Sequence, residues 1–370
     1  MKKVTLGDVC NKAGSNIAQK DLQENEGKYP IYGASGLIKK VDFYQQELPY
    51  IAVVKDGAGI GRTMLLPGHS SVIGTVQYIL PIDRETVDLK YLYYAIVHMN
   101  LSKYFSGATI PHIYYKDYKK EPLRLPELEK QREIAIVFQR IDELIAKREQ
   151  QLKGLDELVK SRFIEMFGDM KLNKRGWKLK SFEELTYLIT DGEHATPKRT
   201  DKGIYLLSAR NILNHSLQLK DVDYINEKEY DRIAKRIIPQ EGDILISCSG
   251  TVGRCCSVPS GFHFQMVRSV ALIRFKEYIN PIFAEYMITS DYLQEQINSS
   301  KTVSSQANLF QGKIRTLKGF VPPIEMQNEF SVFVHKIDKS KYYNFTSYKY
   351  CVLAAKLIRQ EWMLCQTLSF

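Results

Sequence analysis

The chain has 370 residues, 44% hydrophobic and 25% charged, close to globular averages, so wholesale disorder is excluded and two or three domains are expected. Lys and Arg number 52 against 42 Asp and Glu, and the net charge of +10 suggests a polyanionic partner. No apolar run approaches the roughly 18 residues needed to span a bilayer. Asp8 falls where a signal peptide needs its apolar core, and the six cysteines form no C-x-x-C pair and no zinc-spaced cluster with histidine. Membrane, secreted and fibrous classes are thereby set aside, and a cytoplasmic protein with reduced thiols is expected.

Residues 1–124 read as a first globular unit. Short β-branched and aromatic runs such as Pro30–Gly36, Tyr50–Val54 and Ser71–Leu80 predict strands, and a helical stretch lies near Leu89–Ser102. The loop Gly57-Ala-Gly-Ile-Gly61 is one residue short of a dinucleotide fingerprint, and the strand-like Arg62–Pro67 follows it, so a tight hairpin or a bulge is expected. No Walker-type phosphate loop occurs in the chain. Lys39, Lys40, Lys55 and Arg62 are this unit's candidates for nucleic-acid contact, each in competition with a plain solvated role.

Residues 125–170 predict a long helix. Ile134, Phe138, Ile141, Ile145, Leu152, Leu155, Val159 and Met166 recur four and three apart, with Arg148 and Arg162 completing the seam. Pro126 suits the first turn and Gly168 the stop. About 40 helical residues make a rod of roughly 60 Å. The alternative is a long helix packed on its own domain.

Residues 171–321 predict a second α+β unit, with strands at Gly203–Ser208, Asp243–Ile246 and Val267–Phe275 and a helix near Pro281–Ser299. The loop Asp191-Gly-Glu-His-Ala-Thr-Pro-Lys-Arg199 ends in two cations, and Lys198 and Arg199 suit contacts to a phosphate backbone. Arg210, Asn211, Arg268, Gln306 and Asn308 have the chemistry of base-edge readers. Arg62 and Arg254, at the ends of the similar segments Asp56–Arg62 and Cys248–Arg254, face either the rim of the core or a phosphate. His194 has no second ligand at metal spacing and reads as a loop hydrogen-bonder.

Residues 321–340 align without gaps to 125–144, with six of twenty positions identical, including Pro126/Pro322, Glu129/Glu325 and Gln131/Gln327. The chain is therefore a tandem repeat of globular unit and helix. In residues 322–370 the seam lapses at Lys341, Asn344 and Tyr348 and partly resumes at Cys351, Ala355, Ile358 and Trp362, so a helix irregular after about Ser340 is expected. Charge divides as +4 over residues 1–124, −2 over 125–170, +6 over 171–321 and +2 over 322–370. The excess lies in the globular units, not in a tail.

The Asp191-Gly-x-His-x-Thr-Pro197 segment, Gly242-Asp-Ile-Leu245 leading to Gly253-Arg254, Tyr29–Gly36 and the duplicated Pro-x-x-Glu-x-Gln signature occur in an order that resembles the specificity (S) subunit of type I restriction–modification systems. The resemblance covers residues 1 to about 340. It implies an α+β fold with two target-recognition domains, built on curved, mostly antiparallel sheets and joined by two long antiparallel coiled-coil helices with pseudo-two-fold symmetry. It implies a non-catalytic reader of double-stranded DNA, each domain taking half of a bipartite site. Methyltransferase (M) and restriction (R) subunits are the implied partners. No cofactor is expected in this chain, and S-adenosylmethionine is expected in the M subunit. Two alternatives stand beside this reading. A DNA methyltransferase or nuclease in its own right lacks the motifs, since Phe320-Val-Pro-Pro-Ile324 has no Asp or Asn to receive a target amine. A coiled-coil scaffold does not account for basic lobes beside an acidic helix.

Overall fold

The computed structural model describes residues 2–107, 111–300 and 308–367. The chain divides into two compact units, residues 1–150 with 345–370 and residues 151–344.

Unit 1 is built on a four-stranded antiparallel sheet. Its strands are β1 (Cys10–Gly14), β2 (Tyr50–Val54), β3 (Thr63–Leu66) and β4 (Val76–Pro81), in the order β1-β4-β2-β3. All five residues of β2 are buried, which explains a continuous apolar run without alternation. Ile51 and Val53 face a core shared with the helix Leu89–Met99, while Tyr50, Ala52 and Val54 face a second core shared with Val72 and Tyr78. A smaller sheet completes the unit: Tyr29–Gly33 pairs antiparallel with Gly36–Val41 and parallel with Ser71–Val72.

Unit 2 repeats the plan. Strands β5 (Thr186–Asp191), β6 (Ile244–Ser247), β7 (Cys255–Ser257) and β8 (Val270–Phe275) are ordered β5-β8-β6-β7, all antiparallel. Ile244 and Ile246 face the helix Pro281–Thr289, and Leu245 faces Leu207, Phe264 and Met266. Its second sheet contains Arg199–Thr200, Asp223–Ile225, Ile204–Leu207 and Phe264–Met266, in that order, with only the last pairing parallel. The α+β class and the two-domain, mostly antiparallel architecture expected from the sequence are observed.

Each globular region closes with a strand pair that brings its start and end together: Lys2–Thr5 with Pro122–Leu125, and Leu179–Ser181 with Lys318–Phe320. A long helix leaves each closing strand, α1 (Leu128–Phe167, 40 residues) and α2 (Ile324–Thr367, 44 residues). Both departures are held by the repeated glutamine. Gln131 is fully buried, accepts from the Asp88 N–H at 2.9 Å and donates to the carbonyls of Thr86 and Pro126 at 2.8 Å each. Gln327, also fully buried, accepts from the Asn280 N–H at 2.8 Å and donates to the carbonyls of Tyr278 at 3.1 Å and Pro322 at 2.8 Å. Asp88 and Asn280 are the N-caps of the helices Leu89–Met99 and Pro281–Thr289.

Within each unit α1 and α2 run antiparallel. In unit 2 Arg162 meets Glu329 at 2.9 Å and Asp156 meets Lys341 at 2.8 Å. In unit 1 the Tyr348 hydroxyl donates to Glu149 at 2.8 Å, and Trp362 lies 5.4 Å from Phe138, centroid to centroid. The tail expectation is corrected here. Helix α2 continues past Ser340 to Thr367 without a break. Ala355 is buried, and Trp362 packs edge-on against Tyr91, His98 and Phe138 at centroid distances of 5.4–5.7 Å. Such packing overrides the weak helix propensity of the Tyr-Tyr-Asn-Phe-Thr run. No helix among the described residues is long and apolar enough to cross a membrane.

Removing the glutamine side chain strands one N–H and two carbonyls in each clamp. Gln131→Ala and Gln327→Ala should each cost about 2–4 kcal/mol in denaturant unfolding. They share no partner, so the double variant should equal the sum to within about 0.5 kcal/mol.

Candidate nucleic-acid interface

In unit 2 the candidate residues gather at one end of the β5–β8 sheet. Hydrogen bonds lace five loops together there. The Cys248 N–H donates to the Ser269 carbonyl at 2.8 Å, the Leu309 N–H to Cys248 at 2.9 Å and the Arg268 N–H to Glu193 at 3.0 Å. The Ala209 N–H donates to the Ser269 hydroxyl at 3.0 Å. The corresponding end of unit 1 is tied by the Lys55 N–H to the Thr75 carbonyl at 3.0 Å, the Gly74 N–H to Ile17 at 2.8 Å and the Gly57 N–H to Pro111 at 2.9 Å.

The glycine loop is the expected hairpin, joining β2 to β3, and β6 to β7 is its counterpart. Gly61 has φ +78°, and a Cβ there would stand 2.5 Å from the Ser102 nitrogen, so only glycine fits. The arginine after each such glycine makes the same contact in both units. Arg62 Nη1 donates to the Ala34 carbonyl at 2.7 Å, and Arg254 Nη2 to the Ala209 carbonyl at 3.1 Å. Each guanidinium thus ties the hairpin to the neighbouring turn through one terminal nitrogen, Arg62 remaining exposed and Arg254 half-buried, so the contact to the rim leaves other donors open to a phosphate.

The other candidates differ in freedom. Lys40, Lys198 and Arg268 are exposed. Lys39 donates from Nζ to the Leu22 carbonyl at 2.9 Å, and Lys55 pairs with Asp56 at 3.3 Å. Asp56 also meets His112, whose ring lies against Tyr114. Asn308 bridges by its backbone to Ser249. Gln306 lies outside the described residues. Arg199 Nε donates to Asp223 Oδ2 at 2.9 Å, and Arg210 Nη2 to Asp223 Oδ1 at 3.0 Å.

Asn211 is a correction. Its side chain is fully buried, Oδ1 accepts from the Ser208 N–H at 2.8 Å, and Nδ2 donates to the carbonyls of Gln218 and Asp221 at 2.9 Å each. An amide satisfied on all these sides cannot reach a base edge. It braces the turn that carries Arg210.

Sequence reasoning missed the acids that arrange these cations. Glu229, 8% exposed, accepts from the Lys198 N–H at 3.2 Å and from Arg232 at 2.9 Å. The Arg232 guanidinium holds the Glu229 carboxyl below the usual range. Asp223 gives a weak signal, as the second acid of Asp221-Val-Asp223 on a strand edge, but pattern alone does not say which cations it meets. Burial raises the Asp191 carboxyl against the pull of His194, whose Nε2 is 3.7 Å from Oδ2, and of Arg236. No cluster of three or more potential metal ligands occurs among the described residues. Burial also pushes the Cys10 and Cys248 thiols up to about 12, so both are protonated at neutral pH and unsuited to nucleophilic chemistry.

Asn211→Ala should destabilise unit 2 by about 1–3 kcal/mol in denaturant unfolding. Faster amide exchange should follow at Ser208 and across 217–223. Loss of DNA selectivity with unchanged stability would reverse this assignment.

Comparison with known proteins places this geometry. The family model described as the type I restriction modification DNA specificity domain matches residues 1–155 and again 174–343. The MjaVIII type I restriction enzyme specificity subunit of Methanocaldococcus jannaschii is 21% identical, over 90% of this chain and 85% of its own length. The crystal structure of a type I restriction-modification S subunit from M. genitalium superposes with a TM-score of 0.63 at 16% identity, covering 97% of this chain and 94% of that one. A chain from a structure of complex assembly in the type I R-M system gives a TM-score of 0.55 at 14% identity, covering 97% and 96%.

Proposed function

The chain belongs to the type I restriction modification DNA specificity family, and from that membership we propose that it reads a bipartite DNA site, one half in each globular unit, for partner subunits that do the chemistry. The observation that carries this reading is the duplicated scaffold. Both units have the same strand order, the same glutamine clamp and the same arginine-to-carbonyl contact. The loops on the two scaffolds differ. The turn after Ala34 carries Ser35, Gly36 and Leu37, whereas Ala209 is followed by Arg210 and the Asp223 cluster. A common frame with different loop chemistry suits two different half-sites.

In this reading α1 and α2 set the spacing and present surfaces to methyltransferase subunits, with restriction subunits joining the full complex. The methyltransferase subunit would bring S-adenosylmethionine and flip the target base out of the duplex, and this chain would supply position alone.

Two measurements on the full chain with methyltransferase subunits test the reading. Affinity for duplex DNA should fall steeply with salt, by about 10³ between 50 and 200 mM if roughly six phosphates are neutralised. A flat profile defeats the proposal. Inserting one heptad into each long helix, about 10 Å of rise, should lengthen the preferred spacer by roughly three base pairs. An unchanged spacer would remove the helices from that role.

A further inference from the structure

We propose that Arg199 reads a guanine in the DNA half-site of unit 2, and that Asp223 is the positioning residue that aims it; this rests on the DNA-reading function above. Asp223 begins the strand Asp223–Ile225, which pairs antiparallel with Arg199–Thr200 on one side and Ile204–Leu207 on the other. Its carboxylate is shared. Oδ2 accepts from Arg199 Nε at 2.9 Å and Oδ1 from Arg210 Nη2 at 3.0 Å, while Asp221 stands 3.7 Å from Arg210 Nε.

The two arginines are left with different free edges. Arg210 has its Nε, Nη2 edge turned to carboxylates. Arg199 is held by Nε alone, and its terminal Nη1 and Nη2 have no partner among the described residues. That terminal fork matches the O6 and N7 acceptors of guanine in the major groove. A fork also matches a phosphate, and charge decides between them. Within the paired cluster itself, Arg199 and Arg210 with Asp221 and Asp223, two guanidinium groups and two carboxylates sum to zero, while the exposed Lys198 beside it remains for the backbone. A phosphate at this position would feel both carboxylates, whereas a neutral base edge is not repelled. Asp223 also orders Arg199 before binding, so less of its side-chain freedom is lost on contact. The assignment reverses the chemistry expected from the sequence, in which Arg210 met bases and Arg199 the backbone.

The test uses the full chain with methyltransferase subunits, competing duplexes in which every base pair of the recognised site is varied in turn. Arg199→Lys keeps the charge and loses the fork. It should lower the preference for G at one pair of one half-site by about 10- to 100-fold, with the other half-site and the salt slope unchanged. Asp223→Asn should relax the same pair and raise affinity for non-cognate DNA. Should Asp223→Asn fail to fold, Arg199→Lys, an exposed and conservative change, decides alone. The proposal is overturned if Arg199→Lys keeps every preference, if both half-sites weaken equally, or if the two variants relax different pairs. Wild-type complex that shows no bipartite preference would defeat the underlying function as well; a bipartite wild-type site that Arg199→Lys leaves intact would defeat this inference only.

Discussion

Everything else in each unit hangs on one buried side chain, the glutamine in the first turn of its long helix. An amide carries two donors and an acceptor, and Gln131 and Gln327 use all three on backbone groups that no helix or sheet satisfies. Two of those groups flank or belong to the N-cap of the shorter helix, and the third is the carbonyl of the proline that starts the long one. The direction in which the long helix leaves is thereby tied to the helix that covers the sheet. A glutamate could accept but not donate, and an apolar residue would leave three buried polar groups without partners.

The second constraint is electrostatic. An excess of +10 describes the whole chain but says little about any one surface. Several cations at the candidate ends of the separate units are already matched: Lys55 by Asp56 in unit 1, and Arg232 by Glu229 and Arg199 with Arg210 by Asp223 in unit 2. Of these, the pairs at Lys55, Arg199 and Arg210 are open to solvent and contribute little to stability, so their effect lies in orientation. Lys40, Lys198 and Arg268, by contrast, stand exposed and suit the diffuse field that draws a polyanion. A reader of sequence needs both kinds, free cations for affinity and braced ones for discrimination.

The tandem repeat, the α+β class, the hairpin at Gly57–Gly61 and the extent of α1 were legible because each rests on local chemistry: apolar spacing, glycine φ and helix-end residues. The tail of α2 was misread by the same local rules. Its helix is held by Ala355 and by Trp362 against Tyr91, His98 and Phe138, residues more than 200 positions away. Asn211 was misread because a polar residue beside Arg210 looks like a surface pair, and only the path of 217–223 shows that its amide is enclosed.

By itself, then, the sequence determined the number of units, the family and the sign of the partner's charge, since repeats, motifs and composition are properties of the chain in one dimension. Which arginine keeps an open fork, which glutamine carries a helix and which asparagine is buried were decided by tertiary structure alone. Those properties depend on hydrogen-bond partners brought together from distant strands, and a donor's freedom is set by what stands opposite it, not by its neighbours along the chain.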